Sequence, residues 1–242
     1  MNTREVQAAL VALGYSLVVD GVMGPRTKTA VQAFQRGRGL ATDGIVGPLT
    51  IAALQETEAA KSGAGQPLAG VLPADWMPAA RMNRVIVHWT AGVHRASGLD
   101  RTHYHILIEG DGHLVRGSSS IALNDAGGAK KGYAAQTLNC NTGSIGVSLC
   151  CMAGATESPF NAGSAPMTRV QWEALPAVLA DLCRRYSISV TPQTVLSHAE
   201  VQSTLGIAQR GKWDISRLAF DPSVVGAKAS GDLFRAATAK LL

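Results

Sequence analysis

An eight-residue pattern occurs twice near the start of the chain. Asp20-Gly21-Val22-Met23-Gly24-Pro25-Arg26-Thr27 returns 23 residues later as Asp43-Gly44-Ile45-Val46-Gly47-Pro48-Leu49-Thr50. Each copy reads as a tight turn that opens a helix. Asp-Gly supplies the turn, and Gly-Pro sets proline at the first helical position, where its missing N–H costs nothing. A repeat of this kind restricts the first 60 or so residues to a small helix–loop–helix array.

The segments around the two copies fit that array. Asn2 and Glu5 are spaced as a capping box, and Val6, Leu10 and Leu13 form one stripe. Ala30, Val31 and Phe34 share a face after the first copy, and Ile51, Ala52 and Leu54 follow the second. The expectation is a small three-helix all-α domain over residues 1–56. Residues 57–75 are rich in Ala, Gly and Pro without periodicity and read as a tether.

From residue 76 to 242 the pattern changes to alternating strands and helices. Arg84–Trp89, Tyr104–Ile108, His113–Arg116, Ser144–Cys150 and Val195–His198 read as short strands. Glu109-Gly110-Asp111-Gly112 is a hairpin turn. Thr168–Tyr186 is helical, with Trp172, Leu175, Leu179, Leu182 and Cys183 on one face. This order predicts an α/β domain, a mixed central sheet flanked by helices.

His88 and His198 stand at the C-terminal ends of apolar strands, where α/β sheets place their ligand crevices. A catalytic zinc takes three protein ligands and keeps one position open. His88, His198 and Asp214 can supply that set. Lys212, two residues before Asp214, shares its face in an extended segment. A rival set exists: His103 and His105, read as one face of a strand, together with His88.

Composition narrows the partners. The net charge is +5, which favours a polyanion. Lys and Arg are scattered, with no basic stripe, so nucleic acid is not an expected partner. No apolar run is long enough for a membrane span, and no signal-peptide pattern opens the sequence, so synthesis in the cytoplasm is expected. Cys140, Cys150, Cys151 and Cys183 match no metal-ligand spacing and read as reduced, partly buried thiols.

The repeated loops resemble the peptidoglycan-binding domain found beside many wall hydrolases. The second region resembles the N-acetylmuramoyl-L-alanine amidases related to phage lysozyme-amidases and peptidoglycan recognition proteins. Four segments carry this, in order: Val85–Gly92; Tyr104–Ile108 with Asp111-Gly112; Asn141–Val147; and Ser197–Val201 with Lys212-Trp213-Asp214. The resemblance implies Zn2+ held by His88, His198 and Asp214, with Tyr104 and Lys212 on the catalytic side. Some members use a glutamate just after the Ser-Ile-Gly motif; Ser148 stands there, which favours the tyrosine-based chemistry. Residues 126–142 and 152–166 follow no family pattern and are expected to be loops that border the cleft.

The implied activity is hydrolysis of the amide between N-acetylmuramic acid and L-alanine, with peptidoglycan as partner. A wall anchor without a leader suggests a monomeric phage or prophage endolysin, released to the wall by a holin-type protein. The alternative is a receptor on the same scaffold that binds wall without cutting it. Glu200 is a candidate for orienting a ligand imidazole. The C-terminal stretch from Asp232 sets Leu233, Phe234, Ala237 and Leu241 on one helical face, expected to dock on the domain rather than disturb a membrane.

Overall fold

The computed structural model describes residues 1–13, 15, 17–38, 40–47, 50–51, 53–54 and 70–242. The chain divides into two compact units, Met1–Ala69 and Gly70–Leu242.

In the first unit α1 (Thr3–Ala12) starts with the expected capping box: Asn2 Oδ1 accepts from Glu5 N, and Glu5 Oε2 accepts from Asn2 N. α2 (Pro25–Gly37) begins at proline. Val6, Leu10, Ala30, Val31, Phe34 and Leu54 form the core. Helical backbone returns at Thr50–Ile51 and Ala53–Leu54. Pro48, Leu49, Ala52 and residues 55–69, most of the expected tether, lie outside the described residues.

The repeat is a polar knot made twice. Gln7 Nε2 donates to Asp20 Oδ1 (2.7 Å), Val22 O (3.0 Å) and Thr27 Oγ1 (3.0 Å), and its Oε1 accepts from Gly21 N (2.7 Å). Gln35 does the same with Asp43 (2.9 Å), Ile45 (2.9 Å), Thr50 (3.1 Å) and Gly44 N (2.9 Å). Both glutamines are buried. Gly21 and Gly44 have φ of +81° and +73°, which only glycine adopts without strain. Each repeated Asp, Gly and Thr therefore closes a loop onto a helix. The backbone N–H of Val22 or Ile45, and then the glutamine amide, hold the Asp20 and Asp43 carboxyls below their usual range.

The second unit has a five-stranded sheet: β1 (Arg84–Trp89), β2 (Ile106–Ile108), β3 (Leu114–Arg116), β4 (Ser144–Leu149) and β5 (Val195–Ser197), in the order β3-β2-β4-β1-β5. β1 runs parallel to β4 and β5, β2 runs parallel to β4, and β3 is the antiparallel edge. Four helices belong to this unit: α3 (Gly98–His103), α4 (Arg169–Tyr186), α5 (His198–Leu205) and α6 (Ala227–Ala239). A short pair, β6 (Arg217–Leu218) and β7 (Asp221–Val225), precedes α6.

Alternation along the strands assigns the two faces. Val85, Val87, Trp89, Ile145, Val147, Leu149 and Val195 enter the main core with Leu175, Leu179, Leu182 and Phe234. Ile86 and Leu196 point the other way, into a smaller cluster with Cys140 and Val201. His88, Gly146 and Ser148 share that second face. Gln171, in the capping box of α4, donates from its buried amide to Ile108 O and Cys150 O, tying the ends of β2 and β4.

Three sequence readings need correction. Tyr104 and His105 precede β2 rather than belonging to it, and His103 ends α3. His198 is the first residue of α5, immediately after β5. The buried face of α6 is Ser230, Gly231, Phe234, Arg235 and Thr238, while Leu233 is exposed. Of the expected tether, Gly70–Asp75 is described within the second unit; Leu72 is buried in its core and its N–H donates to Asp181. All four cysteines are free and buried. Among the described residues no helix is long and apolar enough to cross a membrane.

Candidate metal centre and cleft

His88, His198 and Asp214 converge, although 126 residues separate the first from the last. Their candidate ligand atoms lie within 4.8 Å of one another. Asp214 Oδ2 is 3.6 Å from His88 Nδ1 and 3.5 Å from His198 Nδ1. The two rings meet edge to face at 4.7 Å. Each residue arrives on a different element: His88 near the end of β1, His198 as the first residue of α5, Asp214 on the turn before β6.

The turn is held from both sides. Trp213 packs edge to face on Trp89, centroids 4.7 Å apart, and Ser216 N donates to Trp213 O. Ile215, fully buried, has φ of +64°. A β-branched residue in the left-handed region stores about 1–3 kcal/mol of strain, and this strain sits directly beside Asp214.

The set fits a divalent ion of the zinc type. His88 Nδ1 is a buried polar atom with no hydrogen-bond partner, which in a native interior calls for an explanation. Two nitrogens and one carboxylate oxygen are zinc donors, and atoms about 2.1 Å from a tetrahedral ion stand about 3.4 Å apart, close to the two observed separations. Burial pushes the His88 imidazole down, toward the neutral form that ligates. Burial drives the Asp214 carboxyl upward, but the facing His198 and His88 rings outweigh it and hold it well below the usual range.

The outer ring nitrogens are occupied. His88 Nε2 meets Gln136 Oε1 at 2.7 Å, and His198 Nε2 meets Gln209 Oε1 at 2.9 Å. Sequence reasoning did not single out either glutamine; Gln136 lies in the patternless stretch 126–142, and Gln209 in the loop after α5. The expected role of Glu200 is corrected by this. Its buried carboxylate accepts from Ser197 N, capping α5, and pairs with Arg235 at 2.8 Å.

The rival set does not assemble. His105 is buried, with Nδ1 accepting from Gly146 N (2.9 Å) and Nε2 against Asn124 Oδ1 (3.0 Å). Burial lowers its pKa to about 4. His103 is exposed on α3.

Two adjoining clefts share His198, Gln136, Arg210 and Lys212 as walls. The larger, about 880 Å³, runs along Tyr133, Leu138, Asn139 and Asn141. The smaller, about 350 Å³, is lined by Tyr104, Lys212, Asp214, Trp89, Met152 and Ala155. The stretches 126–142 and 152–166 thus both border the clefts, as expected. The Tyr104 ring is 5.1 Å from that of His88. Burial first, then the Asp214 and Asp100 charges, push its phenol far above the usual range, so it keeps its proton. Lys212 is exposed and makes no hydrogen bond or ion pair among the described residues.

A family profile described as N-acetylmuramoyl-L-alanine amidase matches residues 78–215. The chain belongs to this amidase family. Residues 2–54 match a peptidoglycan binding domain profile. Among solved structures, the amidase LysC from Clostridium intestinale URNW is similar at 15% identity, over 53% of this chain and 88% of that chain, with a TM-score of 0.34. The amidase AmiD from E. coli, solved with anhydro-N-acetylmuramic acid-L-Ala-D-gamma-Glu-L-Lys, shares 23% identity over 50% of each chain, TM-score 0.34. The ectodomain complex of peptidoglycan recognition proteins LCa and LCx shares 22% over 52% of this chain and 81% of that chain, TM-score 0.32. Comparison with curated proteins yields no match.

Proposed function

We propose that this amidase is a zinc enzyme that hydrolyses the bond between N-acetylmuramic acid and the L-alanine of the stem peptide. The observation that carries the reading is the convergence of two imidazole Nδ1 atoms and one carboxylate, one of those nitrogens otherwise partnerless, at the wall of an open cleft. His88, His198 and Asp214 would hold the ion. When bound, zinc supplies a Lewis acid and lowers the pKa of coordinated water to about 7.

The remaining work falls to side chains of the cleft. Lys212 carries an unpaired ammonium on the rim shared by both clefts and stabilises the oxyanion that develops on the lactyl carbonyl. Tyr104 retains its proton and acts as a hydrogen-bond donor that orients the attacking water or the oxyanion. The Trp89–Trp213 contact keeps Lys212 and Asp214 in place while substrate enters.

Residues 1–56 would serve as a wall-binding domain, through the grooves around the Asp20-Gly21 and Asp43-Gly44 loops, and residues 57–69 as a tether that raises local substrate concentration for the unit from Gly70 to Leu242. This pairing of wall binding with wall cleavage supports an endolysin role, with a holin-type protein as release partner. Mass spectrometry of digested wall tests the activity: new L-alanine amino termini without new reducing ends, lost on chelation and restored by zinc. Binding to wall without cleavage under both conditions supports the receptor instead.

A further inference from the structure

Both imidazoles are turned so that Nδ1 faces Asp214. A neutral imidazole has one N–H and one lone pair, and the partner of one nitrogen decides the state of the other. We propose that Gln136 and Gln209 are a matched pair of positioning residues. Each accepts from the Nε2–H of one histidine and so commits the Nδ1 lone pairs of His88 and His198 to the site. This rests on the reading that the triad holds a metal.

The backbone sets the orientation of each amide. Gln209 Nε2 donates to Leu138 O (2.9 Å) and Ile207 O (3.3 Å). Gln136 Nε2 donates to Ser144 O (3.3 Å). Turning either amide over would set its oxygen against those carbonyl oxygens. The acceptor end is therefore held toward Nε2 at 2.7 Å in His88 and 2.9 Å in His198. Both glutamines are buried in the cleft wall, which strengthens these hydrogen bonds.

The surroundings are shaped for Gln136. Its loop is held by Asn141 Oδ1, which accepts from Gln136 N and Thr137 N. Its side chain lies over Gly146 of β4, where a Cβ would stand 2.5 Å from Gln136 Oε1. His105 grips that glycine from both ends: Nδ1 accepts from Gly146 N, and His105 N donates to Gly146 O. The glycine of the Ser-Ile-Gly motif is thus the seat of Gln136, and His105 is the strut beneath it. Gln209 bonds both to His198 and to the carbonyl of Leu138, so a wall of the larger cleft and one ligand ring form a single hydrogen-bonded unit. Neutral amides do this without adding charge to the site.

Long-range 15N NMR of the imidazoles in the metal-free full chain reads the tautomers directly. Both His88 and His198 are expected to carry a proton on Nε2; either ring found with Nε2 unprotonated overturns the proposal without any variant. Gln136→Met and Gln209→Met, checked for folding by circular dichroism, are then each expected to lower zinc affinity about 10–100-fold in chelator competition and to release the Nδ1–H tautomer. Folded variants with wild-type tautomers and affinity also overturn it. If the unaltered chain takes up no zinc, the metal reading falls, and the tautomers still decide the role of the glutamines.

Discussion

His88 and Ser148 are register partners on the parallel strands β1 and β4, so the serine shares the sheet face of the His88 ring. The resemblance implies a glutamate at that motif position in some amidases of the family. Here no carboxylate is available there, and Tyr104 is the phenol that lines the smaller cleft. Tyr104→Phe removes the donor and keeps the ring packing on His88. Turnover of purified wall should fall about 100-fold or more, with zinc content unchanged. Near-normal turnover would remove Tyr104 from the chemistry.

Lys212 sits outside the group of His88, His198 and Asp214 and has no partner to lose among the described residues. Lys212→Ala should therefore keep zinc and thermal stability. Loss of one oxyanion stabiliser costs about 3 kcal/mol, or about 100-fold in kcat. Steady-state kinetics with metal analysis checks this, and a change confined to KM would recast Lys212 as a binding residue.

His105 is buried neutral, with its pKa lowered to about 4 by burial. The unfolded chain binds its proton near pH 6.5. Between these values the unfolded state holds more protons, so His105 contributes stability above about pH 6.5 and loses it as pH falls toward 4. The full effect is about 3 kcal/mol. Denaturant unfolding of the metal-free protein should show a shallower decline over that window in His105→Gln than in the unaltered chain. Parallel curves would contradict the assignment.

The C-terminal helix is a docked part of the fold. Arg235 crosses to the Glu200 carboxylate and to Val195 O, and Gly231 leaves room for that carboxylate, which an added methyl would strike. Gly231→Ala should cost about 3 kcal/mol through overpacking and a weakened buried pair, read as a lower denaturation midpoint. A variant of unchanged stability would reopen the case for a free, membrane-active helix.

The convergence of His88, His198 and Asp214 was legible because His88 lies near the end of one apolar strand, His198 follows another, and Asp214 lies in a family motif. The repeat was legible from turn chemistry, although its partners Gln7 and Gln35 were not: they sit at unequal distances from their loops. Gln136 and Gln209 left no mark, since loops without periodicity carry them and only folding brings them to the rings. The face of α6 was misread for a related reason. Hydrophobic periodicity assigns arginine to solvent, whereas Arg235 is buried against Glu200, a carboxylate 35 residues away in sequence. His103 and His105 were read on one strand because no propensity marks where α3 ends.

Diffraction from zinc-soaked crystals at the zinc absorption edge tests the central claim most directly. One anomalous peak is expected about 2.1 Å from Nδ1 of His88, Nδ1 of His198 and a carboxylate oxygen of Asp214, with its free side toward the cleft of Tyr104 and Lys212. A peak on other residues, ligation through Nε2, or no peak at this triad would contradict it.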